Sequence, residues 1–265
     1  MNIDRGLYDL IKIRSQDDFS LIAIALAEIA SYPPIIEEFP FITNYLGAFK
    51  DALTNGNSEH IEEALSKLYV TLHSSGSYTR EERDVLRLRG GYLCYPGGLS
   101  PILLARSFIN KDTVVADLGS GNGLQGLLLQ RLYPHRRTIQ IEIAKEMIRI
   151  GRVYQVALGI KEEKIKWIND DIMNASYEEA DLVYIYRPAR PVEGAVLYKS
   201  IGEKLSRLNK RVTIFSVADC LAPFIKDRFT THYDDGHLKI FINYEASSSI
   251  NHSRSADSPS LWLTS

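Results

Sequence analysis

The chain has 265 residues, 45% of them hydrophobic and 24% charged, which is enough for one sizeable α/β domain with an accessory part. A formal net charge of −2 gives no overall basic field that would attract nucleic acid or a membrane surface. The longest apolar stretch, residues 21–30, is interrupted by Glu28 and is too short to span a bilayer, so we expect no membrane partner.

Cysteine and histidine usage indicates neither a disulfide framework nor a metal site. Cys94 and Cys220 lie far apart, and the six histidines show no His-x-x-x-His spacing. We therefore expect a cytoplasmic protein of a reducing compartment, without a metal cofactor.

The N-terminal third of the chain, residues 1–90, is predicted to be helical. Apolar residues recur there at helical spacing in three segments, at about residues 19–30, 41–53 and 58–72. Pro33 and Pro34 are expected to break the first of them. We expect this region to form a helical cap or accessory region before a catalytic domain at residues 91–245.

A shorter helix is predicted after Thr79, because Thr79 and Glu82 have the spacing of a capping box. Its arginines are interpreted as a solvated face rather than a binding patch: Arg83, Arg87 and Arg89. Two interpretations of the following glycine-rich segment, residues 90–98, stay open. It is either a lid over a ligand or a linker that needs glycine for its turns. Residues 99–108 then have the pattern of a helix.

A strand, a tight glycine turn and a helix are predicted over residues 114–132. The apolar strand ends in an acid, glycines follow at alternate positions, and leucines then recur at helical spacing. Glycine lets the backbone take a positive φ and approach a ligand closely, and the free N–H groups of a helix start favour a carboxylate or phosphate. The pattern predicts a nucleotide-binding turn made of Asp117, Gly119, Ser120, Gly121 and Gly123.

Two further acids stand at the ends of predicted strands. Residues 138–143 alternate like a strand, and Glu142 follows the glycines by about 20 residues, where a carboxylate accepts ribose hydroxyls. Residues 164–172 have the pattern of the next strand, which ends at Asp171. The sequence Asn-Asp-Asp at that point is also compatible with a simple turn.

The C-terminal half completes the predicted sheet. Residues 181–188 form a nearly continuous apolar run, as expected for a central parallel strand covered on both faces, and Tyr186 and Arg187 stand at its carboxyl end. A helix over residues 192–208 and a fifth strand over residues 211–217 follow, and Asp234-Asp235-Gly236 between two β-patterned segments predicts a hairpin. The serine-rich residues 246–265 are expected to be a disordered tail.

The glycine pattern fits two kinds of site. Asp117-x-Gly119-x-Gly121-x-Gly123 resembles the first motif of class I S-adenosylmethionine (SAM) methyltransferases, whereas Gly121-x-Gly123-x-x-Gly126 also satisfies the dinucleotide fingerprint. The acid favours SAM, because it attracts the amino group of SAM and would repel a pyrophosphate. Asp171 and the terminal hairpin also match the methyltransferase pattern, so residues 92–244 resemble that family.

The resemblance implies an α/β, Rossmann-like fold with a seven-stranded, mostly parallel sheet and a terminal antiparallel hairpin, here preceded by an all-helical region. It implies SAM as the cofactor and S-adenosylhomocysteine (SAH) as its product. Asp117 is then expected to hold the amino group of SAM, Glu142 its ribose and Asp171 its adenine. The full set of expected cofactor-binding residues is Tyr95, Asp117, Gly119, Ser120, Gly121, Gly123, Glu142, Ile143, Asp171 and Ile172.

The sequence leaves the methyl acceptor open. Tyr186 and Arg187 are expected on the substrate side, with the tyrosine at the rim around an acceptor and the arginine placed to orient an anionic group. The acceptor atom is N or O, on a protein lysine, a small molecule or RNA. Two other functions stay open, an NAD(P)-dependent oxidoreductase and a catalytically silent SAM-fold binding protein. The oligomeric state is also open.

Overall fold

The computed structural model describes residues 5–14, 17–93, 98–225 and 227–243. Within these residues six helices come first: α1 Arg5–Arg14, α2 Asp17–Ala30, α3 Pro33–Glu38, α4 Ile42–Asn55, α5 Ser58–His73 and α6 Arg80–Leu88. Strands and helices then follow as α7 Ser100–Leu104, β1 Val114–Leu118, α8 Leu124–Leu132, β2 Arg137–Glu142, α9 Lys145–Ala157, β3 Ile165–Asn169, β4 Leu182–Tyr186, α10 Ala195–Ser206, β5 Thr213–Val217, α11 Ala222–Ile225, β6 Thr230–Asp234 and β7 Leu238–Ile242. Two predictions fall outside the described residues, the role of Tyr95 and the disordered tail at 246–265.

The strands form one seven-stranded sheet in the order β3-β2-β1-β4-β5-β7-β6. Strands β1 to β5 pair in parallel, whereas β7 is antiparallel to both β5 and β6. All five residues of β1 are buried, because both faces of this central strand are covered. The predicted α/β fold with a mostly parallel sheet and a terminal hairpin is confirmed.

Each face of the sheet has its own hydrophobic core. On one face, α10 and α11 pack against side chains such as Val183 and Ile214. On the other face, side chains such as Val115 and Phe215 share a core with α8, α9 and the helices of the N-terminal region. The helices before the sheet are thus part of its packing rather than a separate layer.

Helix α2 connects the N-terminal region to the sheet domain. It packs against α8 and α9. Glu28, which interrupts the apolar run of α2, is only 3% exposed and accepts a hydrogen bond from Arg131 of α8 at 3.3 Å. A buried carboxylate that is paired in this way ties the two helices together.

The N-terminal helices follow their capping signals, with one difference at the prolines. Asn57 accepts from the His60 amide at the start of α5, and the capping box of Thr79 and Glu82 starts α6 as predicted. Pro33, expected only to break a helix, also begins the short helix α3. A proline at the first helical position lacks only an N–H that would have no partner there.

Two ends differ from the sequence prediction. Helix α1 lies in the region predicted to be helical but outside its individually predicted segments, and residues 192–194, expected in a helix, are turns before α10. In the part of the chain that the structure describes, no helix is long and apolar enough to cross a membrane.

Candidate functional site at the carboxyl ends of the strands

The glycine turn between β1 and α8 forms the floor of the site. Gly119, Gly121 and Gly123 have φ angles of +75°, +58° and +70°, in the left-handed region that favours glycine. The amide of Gly119 donates to the carbonyl of Ile141 at 3.0 Å, which fixes the turn to β2. A Cβ on Gly119 would lie 3.0 Å from the Cβ of Pro188, so a glycine lets the turn approach the end of β4.

Gly123 lies on the far side of this turn. A Cβ at Gly123 would come within 2.4 Å of the Trp167 ring, and one at Gly126 within 2.2 Å of the side-chain nitrogen of Gln140. The structure therefore places Gly123 against side chains of β2 and β3, whereas the sequence analysis expects it beside the cofactor. Because Gly123 has no side chain, the Trp167 ring can pack closely beneath the turn.

Asp117 and Glu142 end the neighbouring strands β1 and β2 and are both buried. Asp117 accepts from the Gly126 amide at 3.2 Å, and the two carboxylate oxygens of Glu142 accept from the amides of Gly121 and Ala144 at 2.8 and 2.9 Å. Burial raises the pKa of Asp117 to about 7, against the lowering effect of its hydrogen bond, and the Glu142 carboxylate adds to the rise. Burial likewise raises the pKa of Glu142 to about 7. A ligand that donates hydrogen bonds or carries positive charge would stabilise both ionised forms.

The acid at the end of β3 has a cationic partner that the sequence analysis did not assign to the site. Asp171 accepts from the Met173 amide at 2.8 Å and forms an ion pair with Arg89, which follows α6. Arg89 is one of the arginines expected on a solvated face. Its guanidinium instead lies against the strand end, because the carboxyl end of α6 borders the cavity.

Two non-glycine residues with positive φ follow the paired strands β4 and β5. Arg187 has φ +24° and Ala218 has φ +49°, and the Arg187 Nε donates to the Ala218 carbonyl at 2.8 Å. Strained backbone of this kind concentrates at functional sites. The ring of Tyr186 contacts that of His237 with a centroid distance of 6.2 Å. Tyr186 and Arg187 are thus held at the carboxyl edge of the sheet.

A segment after α6 closes one side of the site. Gly91 and Ala189 form an isolated antiparallel bridge, and the amide of Tyr92 donates to the carbonyl of Pro188 at 3.1 Å. Gly91 and Tyr92 are therefore fixed next to the end of β4. The next four residues of the segment interpreted as a lid or linker, 94–97, are outside the described residues.

The carboxyl end of α5 supplies a wall that the sequence analysis missed. Asn122, in the glycine turn, is fully buried and donates to the carbonyls of Leu72, His73 and Ser75 at 2.8, 3.1 and 3.0 Å. His73 and Tyr78 face the cavity as a result. Burial lowers the pKa of His73 to about 4, so its imidazole is neutral at physiological pH. The sequence around Asn122 shows a polar residue between two glycines, and this pattern does not predict contacts with residues about fifty positions earlier.

These elements enclose a cavity of about 410 Å³, within the range of small-molecule sites. It lies where the strand order reverses between β1 and β4, the position where open α/β sheets bind ligands. Ten of the predicted residues line it: Asp117, Gly119, Ser120, Gly121, Glu142, Ile143, Asp171, Ile172, Tyr186 and Arg187. Residues far apart in sequence are thus brought to one site.

The parallel strands in the order β3-β2-β1-β4-β5, followed by the antiparallel β7 and β6, are the arrangement that the sequence resemblance implies. The chain has the class I methyltransferase fold.

No family model and no curated protein matches the chain. Among solved structures it is similar to one from Pyrococcus horikoshii that is provisionally assigned as an RNA methyltransferase, with 19% identity, a TM-score of 0.46, and coverage of 67% of this chain and 95% of that one. It is also similar to an RNA methyltransferase from Salinibacter ruber in complex with SAH, with 18% identity, a TM-score of 0.42 and coverage of 58% and 94%. A ribosomal protein methylase from Lactobacillus delbrueckii has 17% identity, a TM-score of 0.42 and coverage of 55% and 76%. Likenesses at this level do not identify an acceptor.

The glycine turn leaves both space and hydrogen-bonding capacity for a ligand. The hydroxyl of Ser120 is buried and has no hydrogen-bond partner among the described residues, so a ligand oxygen or nitrogen would satisfy it. A Cβ on Gly121 would meet nothing closer than 3.8 Å, which leaves space above the turn. Among the residues described, no group of three or more His, Cys, Asp or Glu side chains is placed to hold a metal ion.

Proposed function

We propose that the protein is a SAM-dependent methyltransferase that transfers a methyl group to an N or O acceptor and releases SAH. The observation that carries the proposal is the pair of buried carboxylates, Asp117 and Glu142, at adjacent strand ends in one cavity. Burial raises the pKa of each to about 7. A ligand with an ammonium group and a ribose diol would supply the charge and the hydrogen bonds that favour their ionised forms.

Each part of SAM is assigned to residues at a different strand end. Gly119, Ser120 and Gly121 would hold the methionine part, with the free Ser120 hydroxyl as one donor. Asp117 would pair with its amino group and Glu142 with its ribose. Asp171, Ile143 and Ile172 would hold the adenine. When bound, SAM supplies a methyl group already activated on a sulfonium, so the protein has mainly to align the acceptor and exclude water.

Three exposed aliphatic side chains are among the residues that line the cavity. Leu88, Leu93 and Val196 line the cavity and are 85%, 44% and 69% exposed. Exposed aliphatic side chains that cluster at a cavity mouth favour an acceptor with an apolar body, such as the stem of a lysine side chain or a small metabolite. Tyr186 and Arg187 would border the acceptor, with Arg187 available for an anionic group.

The buried Tyr184 hydroxyl in the cavity wall is not a base for an oxygen acceptor. Burial raises the pKa of the Tyr184 hydroxyl well above its ordinary value, so this tyrosine keeps its proton at neutral pH. An oxygen acceptor needs a base, whereas a neutral amine needs little more than desolvation and alignment.

The experiment that tests the proposal is a calorimetric titration of the purified protein with SAM, SAH, NAD and NADP. We expect binding of both adenosyl ligands and no binding of the nicotinamide ligands, because a pyrophosphate at the glycine turn would meet the Asp117 carboxylate. Binding of a nicotinamide nucleotide alone would replace the proposal with an oxidoreductase.

Transfer is then measured with SAM labelled in its methyl group, over peptides containing lysine, small amines and hydroxyl compounds, and RNA. Label in a peptide or a small amine supports the proposed acceptor, and label in RNA assigns a nucleic acid instead. Cofactor binding with no transfer to any of these would leave a SAM-binding protein without catalysis and would overturn the enzymatic part of the proposal.

A further inference from the structure

The carboxyl end of helix α6 borders the cavity, and the helix has polar contacts near its two ends. None of its residues is buried. Near its start, Glu82 accepts from the Lys145 amide at 2.8 Å, at the first turn of α9. Just after its end, Arg89 pairs with Asp171. The helix thus runs between the end of β2, where Glu142 lies, and the end of β3.

From this geometry we infer that Arg89 is a positioning residue, which holds the Asp171 carboxylate so that it accepts the 6-amino group of the cofactor's purine. The inference rests on the proposed function. If it is correct, Arg89, a residue of the N-terminal region, helps to determine which purine the site accepts.

The two oxygens of Asp171 have different surroundings, because Oδ2 accepts no hydrogen bond from the described residues although it forms the ion pair with Arg89. One accepts from the Met173 amide at 2.8 Å, and the other pairs with Arg89, whose guanidinium also lies 3.6 Å from the Met173 sulfur. The side chain of Asp171 is 10% exposed and that of Arg89 is 49% exposed. The carboxylate is therefore fixed at the cavity wall by a residue that reaches it from solvent.

The charges around Asp171 give Arg89 a second effect. Asp170 is adjacent in the chain, so two acidic side chains stand together at the end of β3. The nearby Lys204 donates to the carbonyls of Ile172 and Ala175 at 3.3 and 2.9 Å. The ion pair with Arg89 places a positive charge beside these two side chains and offsets the repulsion between them.

A fixed carboxylate distinguishes two purines. It accepts a hydrogen bond from the 6-amino group of adenine, but it repels the 6-oxo oxygen of hypoxanthine. Without Arg89 the Asp171 side chain can rotate toward solvent, and the site loses this distinction. A role of Arg89 that is only structural would weaken both purine ligands alike.

The test is calorimetric titration of the full chain with SAH and with S-inosylhomocysteine, which carries a 6-oxo group. We expect the unchanged protein to prefer SAH, and Arg89→Ala to weaken SAH about tenfold, the size of one charge-assisted hydrogen bond. The affinity for S-inosylhomocysteine should change less than about twofold. Arg89→Lys should recover part of the preference, because it keeps the charge but not the planar fork.

Arg87→Ala is the matched control, since Arg87 is an exposed arginine of the same helix that does not line the cavity. It should leave both affinities unchanged. Equal weakening of the two ligands in Arg89→Ala, or no weakening of either, would overturn the inference while leaving the proposed function in place. If the unchanged protein bound neither ligand, the proposed function would fail and the inference with it.

Discussion

Replacing Asp117 by Asn should stabilise the ligand-free protein and weaken cofactor binding. Asp117 is 4% exposed, and burial raises its pKa from 3.8 to about 7. Between these two values the unfolded chain has released the proton while the folded protein still holds it, so the stability of the folded protein falls as pH rises. The full loss is about 4 kcal/mol, at about 1.4 kcal/mol per pKa unit.

Asn resembles the protonated acid and can still accept from the Gly126 amide, which lies 3.2 Å from the carboxylate. The gap in unfolding free energy between Asp117→Asn and the unchanged protein should therefore widen by about 3 kcal/mol from pH 5 to pH 8. Urea unfolding at several pH values measures it. Asp112→Asn is the control, because the Asp112 side chain is 81% exposed, and its gap should stay within about 0.5 kcal/mol.

Binding of SAH supplies the second readout. The affinity of the unchanged protein for SAH should rise at least about tenfold from pH 6 to pH 8. Over this range Asp117, with a pKa of about 7, goes from mostly protonated to mostly ionised. Asp117→Asn should bind SAH weakly at every pH. A stability gap that is the same at pH 5 and pH 8, or a variant less stable than the unchanged protein at pH 8, would refute this account of Asp117.

Further predictions concern two glycines in helices and the buried hydrogen bonds of Asn122. In the middle of α9, Gly151→Ala should destabilise the fold by about 1–3 kcal/mol, because its Cβ would lie 2.3 Å from the Trp167 ring and 2.6 Å from a backbone oxygen. In α4, Gly47→Ala should stabilise the fold by about 0.5–1 kcal/mol, because a Cβ there meets nothing within 4 Å. Urea unfolding measures both variants, and a change in unfolding free energy of the same sign for the two would contradict the packing argument. Asn122→Asp loses the donor to three carbonyls of the α5 end and should destabilise by about 3 kcal/mol or more, whereas the exposed Asn44→Asp should change stability by less than about 0.5 kcal/mol.

The strand ends and the glycine turn are local features, and the sequence determines them. An apolar run that ends in an acid and is followed by alternate glycines can hardly fold as anything except strand, turn and helix, because glycine alone enters the left-handed region easily. Parallel strands bring their carboxyl ends to one edge. Asp117, Glu142 and Asp171 therefore meet in one cavity, as their positions in the sequence predict.

The hairpin is determined in the same local way. Asp234-Asp235-Gly236 provides the turn, and Gly236 has a φ of +85° that glycine adopts without strain. Caps and helical spacing likewise predict α2, α4, α5 and α6 within one or two residues. These signals depend on neighbouring residues only.

The tertiary structure alone decided what lies across the cavity from the strands. Arg89 and His73 belong to a helical region whose sequence shows only amphipathic periodicity, yet Arg89 pairs with Asp171 and Asn122 holds the carbonyl of His73. Such pairs join residues about 50 to 80 positions apart, and no local spacing encodes them. Local spacing also does not encode the contact of Gly123 with Trp167 beneath the turn. Nor does it encode the raised pKa values of Asp117 and Glu142. Burial and packing depend on which elements meet in space, and that is a property of the whole fold.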